Sequence, residues 1–186
     1  MKEPFSFDGS GVDKNKPLDL DPGKYVDPGK YDRYMLGLRD QQNLVAGLLG
    51  GAIAALAGSA LWATVTYLSG YQLGLMAIVA GALVGQVVQK AGKGVDIQFR
   101  ILGALLALLS CLVGNVLVAC IFYARQEGLS ILSVVSQLRL GNTIELVKLT
   151  FEGMDLLFYG IAVYEGFRFS VRKLTQADYL KISQMP

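Results

Sequence analysis

Histidine is absent from this chain of 186 residues, and charged residues make up only 17% of it. Histidine is the commonest protein ligand for metals and the usual general base near neutral pH, so its absence excludes many metal-dependent and acid–base enzyme mechanisms. Phosphate-binding glycine loops and nucleophile elbows are missing as well. Lysine and arginine do not cluster as they do in nucleic-acid-binding proteins. The sequence therefore predicts no catalytic residue, no metal site, no cofactor and no nucleic-acid partner.

Cysteine is nearly absent, and both copies, Cys111 and Cys120, lie in one apolar segment. Their spacing places them on opposite faces of a helix, where they cannot bond to each other. We expect them to act as small packing residues.

Long apolar runs dominate the middle of the chain. Between residues 44 and 123 the only charged residues are Lys90, Lys93, Asp96 and Arg100. Crossing a bilayer takes about 20 apolar residues, and these runs lack the polar face of a soluble helix. The sequence predicts an all-α integral membrane four-helix bundle, with a transmembrane domain over residues 41–186. Its spans are expected at about 44–68, 73–88, 97–123 and 150–171.

The fourth span is interrupted by acidic residues. Its unbroken apolar run, 156–164, lies between Asp155 and Glu165 and rises only about 15 Å, half of the hydrocarbon thickness. A carboxylate below the headgroups needs a partner, so we expect Glu165 to pair with Arg100 or Arg168. A proton or ion relay through the two acids is the alternative, as is a half-inserted helix. The intramembrane polar set is Arg100, Asn115, Asp155, Glu165 and Arg168.

Residues 1–40 form a polar segment that contains a tandem Asp-Pro-Gly-Lys-Tyr motif. Asp-Pro-Gly favours a tight turn, so each copy would present a Lys-Tyr pair to a partner. A disordered tail with local turns is the alternative. The expected docking residues are Asp21, Lys24, Tyr25, Asp27, Lys30 and Tyr31.

Two amphipathic segments are expected to lie on the membrane surface. Tyr31, Tyr34, Met35 and Leu38 form an apolar stripe at helical spacing just before the first span. A similar pattern over residues 131–138 predicts a second interfacial helix.

Small residues recur every four positions in the first three spans. Such ladders let helix backbones approach closely, and they are silent about whether the neighbour belongs to the same chain. Two adjacent ladders on the first span indicate more contact surface than one neighbour needs, which favours a homo-oligomer or another membrane subunit. The expected packing residues are Gly47, Gly51, Ala55, Gly58, Gly81, Gly85 and Gly103.

The distribution of lysine and arginine predicts orientation. These residues flank the N-terminal side, the second link and the C-terminal side, and the first link has none. Four spans with both termini in the cytoplasm satisfy this pattern.

The positions of the glycine residues resemble those of a group of membrane proteins. The segments 70–77, 81–85, 92–94 and 155–162 resemble a loosely defined, uncharacterised family of small bacterial inner-membrane proteins. The resemblance implies a bacterial inner membrane and a glycine-packed hairpin of the first two spans. It implies no activity, and the Asp-Pro-Gly-Lys-Tyr tail lies outside it.

These observations favour a non-catalytic membrane subunit or scaffold that docks a partner through its N-terminal tail. The alternative is a small transporter or oligomeric channel that uses the intramembrane acids.

Overall fold

The structure, a computed structural model, describes residues 27–70, 75–138 and 153–186, together with Thr143 and Lys148. These residues contain helices and no strand, so the all-α prediction is confirmed for them. The helices are α1 (Pro28–Arg39), α2 (Leu44–Ser69), α3 (Leu75–Gly92), α4 (Ile97–Gln126), α5 (Ile131–Ser136), α6 (Gly153–Phe169) and α7 (Gln176–Gln184). The chain divides into a core unit, Asn43–Val171, and a terminal unit that joins the residues up to Gln42 with Arg172–Pro186.

Two helices of the core unit, α2 and α4, are long and apolar enough to cross a membrane. They contain 26 and 30 residues, which corresponds to about 39 and 45 Å of helix. Only 33% of the most apolar stretch of α2 and 44% of that of α4 is buried. Most of each stretch therefore presents apolar side chains outward, unlike the core helix of a soluble protein.

The ends of α2 and α3 follow from local chemistry. Asn43 caps α2 by accepting a 2.9 Å hydrogen bond from the amide of Ala46, and α2 ends at Gly70, whose φ of 72° suits glycine. Helix α3 continues to Gly92, four residues beyond the expected end of the second span. It continues because Val88 is fully buried and Gly92 packs against Phe99.

Contacts at one end of the core unit define the directions of its helices. Gly47, near the start of α2, approaches Gly92 at the end of α3 and Phe99 at the start of α4. Gly103, near the start of α4, approaches Gly166 at the end of α6. Helices α2 and α4 therefore run parallel, while α3 and α6 run in the opposite direction.

The small residues of the core unit are used within the chain. Gly51 lies against Val88 of α3 and Leu106 of α4. Gly81 lies against the backbone of Ala162, so α3 and α6 approach at backbone distance. Gly50, Ala55, Gly58, Gly85 and Gly103 likewise face other helices of this chain or are buried. Both ladders of α2 contact α3 and α4, since Gly51 of one ladder and Gly58 of the other each lie against both helices. The expected homo-oligomer or further membrane subunit stays a prediction.

A few polar bonds join these helices. Ser110 Oγ of α4 donates a buried 2.8 Å hydrogen bond to the carbonyl oxygen of Ala55 in α2. Gln89 Nε2 of α3 donates a 2.9 Å bond to the carbonyl oxygen of Val171, just after α6. Both pair backbone carbonyls with side chains that would otherwise lack partners in an apolar environment.

Within the terminal unit, α1 begins where a turn was expected. Asp27 Oδ1 accepts hydrogen bonds from the amides of Gly29 and Lys30, and Pro28 occupies the first helical turn. The second Asp-Pro-Gly therefore starts a helix, because Asp is a favoured N-cap and Pro suits the first position. The first copy of the motif, with Asp21, Lys24 and Tyr25, lies outside the described residues.

The apolar stripe of α1 packs on its own unit. Leu38 is 8% exposed, Tyr31, Tyr34 and Met35 are half-buried, and α1 contacts α7. The expected position of this stripe on the membrane surface stays a prediction. The contact with the C-terminal helix is a long-range pairing that helical periodicity cannot reveal.

The second expected interfacial helix is short in the described residues. Helix α5 spans six residues, and Ser130 caps it by accepting a 3.1 Å hydrogen bond from the amide of Ser133. Leu132 is 78% exposed, and α5 packs on α4.

Candidate functional site

The core unit holds a cluster of polar and aromatic side chains that we call the core polar cluster: Trp62, Thr66, Asn115, Asp155 and Tyr159. All five are buried, with at most 5% of any of them exposed. Helices α2, α4 and α6 each contribute to the cluster. Thr66 lies one turn beyond Trp62, and Asp155 lies one turn before Tyr159.

One hydrogen bond anchors the core polar cluster. Asn115 Nδ2 donates to the hydroxyl of Tyr159 over 2.5 Å, joining α4 to α6. Trp62 packs in the same apolar cluster as Tyr159 and Cys111. The expectation that Asn115 bonds across helices is met in this structure.

Three polar atoms of the core polar cluster have no hydrogen-bond partner among the described residues. They are Nε1 of Trp62, Oγ1 of Thr66 and Oδ1 of Asn115. A buried polar atom without a partner costs about 1–3 kcal/mol, so a water or a small polar ligand at these atoms would stabilise the fold. Nε1 of Trp62 is a donor, Oδ1 of Asn115 is an acceptor, and the hydroxyl of Thr66 can do both.

Asp155 adds an ionisable group to this cluster. It is 1% exposed and lies within electrostatic range of Tyr159 and Cys111. The sequence placed this carboxylate in the intramembrane polar set, and the structure buries it in the core unit, where an acid is usually functional or partnered.

The expected pairing of Glu165 is wrong for this structure. Arg100 lies over the ring of Phe167, 5.3 Å from its centroid, and Arg168 lies over Phe169 at 5.5 Å. Neither arginine forms an ion pair with Glu165 in the part of the chain that is described. Aromatic rings beside the arginines provide cation–π partners, which the charge pattern alone did not suggest.

The terminal unit is organised around Asp178. Its Oδ1 accepts hydrogen bonds from the hydroxyl of Tyr34 at 2.6 Å and from Nη2 of Arg172 at 2.7 Å. Its Oδ2 accepts from the amide and from Oγ1 of Thr175, both at 2.9 Å. One carboxylate therefore ties α1, the start of α7 and the segment after α6 together.

Two cations of α1 extend this attachment, which we call the Asp178 clasp. Lys30 Nζ donates to the carbonyl oxygen of Met185, and Arg33 Nη2 donates to that of Pro186 over 3.0 Å. Of the expected docking residues, Asp27 caps α1, Lys30 belongs to the clasp, and Tyr31 lies in the half-buried stripe.

Ionisation of the clasp follows from burial and its bonds. Burial would raise the pKa of Asp178, but the hydrogen bonds from Thr175, Tyr34 and Arg172 outweigh it and lower the pKa to about 2. Burial and the adjacent Asp178 raise the pKa of Tyr34 to about 12. At neutral pH the clasp holds a carboxylate and a neutral phenol.

A basic cleft opens beside the clasp. Its volume is about 380 Å³, and three of its lining residues are cations. The lining consists of Arg33, Tyr34, Gly37, Leu38, Gln41, Arg172, Lys181 and Met185.

Sequence reasoning missed Tyr34 as a hydrogen-bond donor, along with Asp178 and the cleft. One local signal was readable, since Thr175 and Asp178 have the spacing of a capping box. Comparison of the chain with protein-family models, curated proteins and solved structures finds no match.

Proposed function

We propose that the chain is a multi-pass integral membrane protein that acts as a non-catalytic subunit or scaffold and presents its N-terminal tail to a protein partner. The observation that carries this proposal is the Asp178 clasp. It holds α1, which begins within the second copy of the Asp-Pro-Gly-Lys-Tyr motif, against the C-terminal segment. A tail attached to an ordered helix loses less conformational entropy when it binds a partner than a tail attached to a flexible linker.

Membrane insertion is supported by the outer surface of the core unit. Ile53 and Leu68 of α2 are 70% and 77% exposed, and Leu105 of α4 and Leu156 of α6 are more than half exposed. These side chains belong to a longer series of exposed large apolar residues on α2, α3, α4 and α6, which contact with water disfavours. The same surface suits lipid chains, so we propose that α2, α3, α4 and α6 form a membrane-embedded bundle.

Orientation in a bacterial inner membrane is part of the proposal. The start of α2 and the end of α6 lie at one end of the core unit, and lysine and arginine flank that end. We expect both termini in the cytoplasm. A reporter enzyme that is active only outside the cytoplasm should be active when fused after Gly128 and inactive when fused after Gln42. The opposite pattern would reverse the orientation.

The test of the scaffold role is co-purification from the native membrane. We expect a chain lacking residues 1–26 to lose a polypeptide that co-purifies with the full chain. The triple change Asp21→Ala, Lys24→Ala and Tyr25→Ala should have the same effect. The matched control, Asp13→Ala, Lys14→Ala and Asn15→Ala, alters the same tail outside the motif and should retain the partner. Unchanged co-purification in all variants would remove the docking role.

A second candidate function, a small transporter or channel, is favoured by one observation. The core unit buries the ionisable Asp155, and intramembrane acids at such positions often belong to proton or ion pathways. Flux into proteoliposomes should then be abolished by Asp155→Asn and retained by Asp40→Asn, which alters an exposed acid of the terminal unit. Flux that survives both Asp155→Asn and Glu165→Gln would exclude these acids from any mechanism.

A further inference from the structure

We propose that the basic cleft of the terminal unit binds the phosphate of an anionic phospholipid headgroup, an inference that rests on the membrane insertion proposed above. The cleft presents Arg33, Arg172 and Lys181 around about 380 Å³, and none of the described residues that line it is a carboxylate. Three cations facing one cavity repel one another unless an anion joins them.

Asp178 pairs with one of these cations, Arg172, and has no free lone pair for the other two. Its two oxygens already accept four hydrogen bonds from Tyr34, Arg172 and Thr175. The ion pair uses one Nη atom of Arg172, whose side chain is 43% exposed. The rest of that guanidinium remains accessible, and a planar guanidinium suits the paired oxygens of a phosphate.

Two features favour a lipid over free phosphate. Leu38 and Met185 line the cleft beside the cations, so the cleft is amphipathic. Gln41 lies three residues before Leu44 of α2, and Arg172 lies three residues after Phe169 of α6. Three residues of extended chain reach at most about 11 Å. If α2 and α6 lie in the bilayer, residues that line the cleft are only three positions along the chain from membrane-embedded helices.

Gly37 offers a way to close the cleft without changing charge. It lines the cleft, and a Cβ built at this position meets nothing within 4 Å. A leucine there is compatible with α1 and would occupy the cleft, because leucine favours helix more than glycine does.

The experiment measures phosphatidylglycerol binding to the purified full chain in phosphatidylcholine nanodiscs by native mass spectrometry. A cation near a lipid surface contributes about fivefold in affinity, so Arg33→Gln with Lys181→Gln should weaken binding roughly 25-fold. Gly37→Leu should weaken it at unchanged charge. The control, Lys90→Gln with Lys93→Gln, removes two cations from the core unit and should bind as the unaltered chain does.

Each other outcome has a distinct meaning. Equal binding by all variants, or a loss in the control as large as in the cleft variants, would overturn the cleft site. Inorganic phosphate that competes as strongly as phosphatidylglycerol would overturn the lipid assignment. Failure of the full chain to enter phosphatidylcholine nanodiscs would instead overturn the proposed membrane insertion. Insertion is measured before any phosphatidylglycerol is added.

Discussion

The hydroxyl of Tyr34 donates a 2.6 Å hydrogen bond to Oδ1 of Asp178, a residue 144 positions away in the sequence. This bond links α1 to α7, and through them it fixes the exit point of the N-terminal tail. In the described part of the terminal unit, α1 is therefore bonded to the C-terminal segment, and the stability of this attachment is open to direct measurement.

Removing the Tyr34 hydroxyl should loosen α1. Tyr34→Phe keeps the ring but deletes one of the four bonds to Asp178, which costs about 1–2 kcal/mol for a bond to a charged group. We expect amide exchange over Pro28–Arg39 to accelerate roughly tenfold while α2 is unchanged. Tyr164→Phe alters a tyrosine of α6 that is 59% exposed and should have no effect. Unaltered exchange in Tyr34→Phe would show that the bond contributes nothing to the clasp.

Acid should open the same clasp. Asp178 has a pKa of about 2 in the folded chain against an ordinary value of 3.8. Its stabilisation, about 2 kcal/mol, is therefore complete above pH 4 and is lost as the pH falls from about 4 to about 2. The amide proton of Thr175, which donates to Asp178 Oδ2, should shift by NMR with a midpoint near pH 2. A midpoint close to 4 would contradict the strong binding of this carboxylate, and Asp178→Asn should abolish the transition.

Strong base should also disrupt the clasp, by ionising Tyr34. The pKa of Tyr34 is raised from 10.0 to about 12, so its stabilisation is complete below pH 10 and is lost as the pH rises towards 12. Ultraviolet absorbance should detect one late-ionising phenol of the terminal unit, and Tyr34→Phe should remove it. An unchanged titration in Tyr34→Phe would show that the tyrosine with the raised pKa is not Tyr34.

Packing of α3 on α6 should be sensitive to one methyl group. A Cβ at Gly81 would meet the Ala162 backbone, which cannot move aside as a flexible side chain can. We expect Gly81→Ala to destabilise the core unit by about 2 kcal/mol through overpacking. Gly160→Ala, where a Cβ meets nothing within 4 Å, should be neutral or stabilising. The emission of Trp62, the single tryptophan, reports thermal unfolding in detergent; equal losses in both variants would contradict the close approach.

Both cysteines should resist labelling in the folded chain. Cys111 and Cys120 are at most 1% exposed and are not joined in a disulfide. A membrane-permeable maleimide should leave them unmodified until the chain is denatured in dodecyl sulfate. Ser183→Cys introduces a thiol at an exposed site of α7 and should react at once. Labelling of the unaltered folded chain would show that the core unit opens.

The positions of the long helices were predictable because apolar runs are a local property. Residues 44–68 and 97–123 were expected as spans, and α2 and α4 cover them. The predicted end of α3 was too early, because polar Gln89 and Lys90 follow the apolar run in the sequence. In the structure, the fully buried Val88 and the closely packed Gly92 keep the helix in contact with α2 and α4.

The candidate sites were less predictable because they join distant residues. Asn115 was expected to bond across helices, but its partner Tyr159 was not named. No local pattern shows that Nε1 of Trp62 and Oγ1 of Thr66 lack hydrogen-bond partners among the described residues. The charge pattern suggested a partner for Glu165 among the nearest arginines, while Arg100 and Arg168 lie on aromatic rings that charge counting ignores.

The sequence by itself determined the helical class, the length and apolarity of α2 and α4, and the spacing of small residues, since each depends on neighbouring positions along one helix. Tertiary structure decided where those features are used. It directed both glycine ladders of α2 towards helices of the same chain and buried Asp155 in the core unit. It also brought α7 into contact with α1. Periodicity defines which face of a helix is apolar, but only packing in three dimensions selects the surface that buries it.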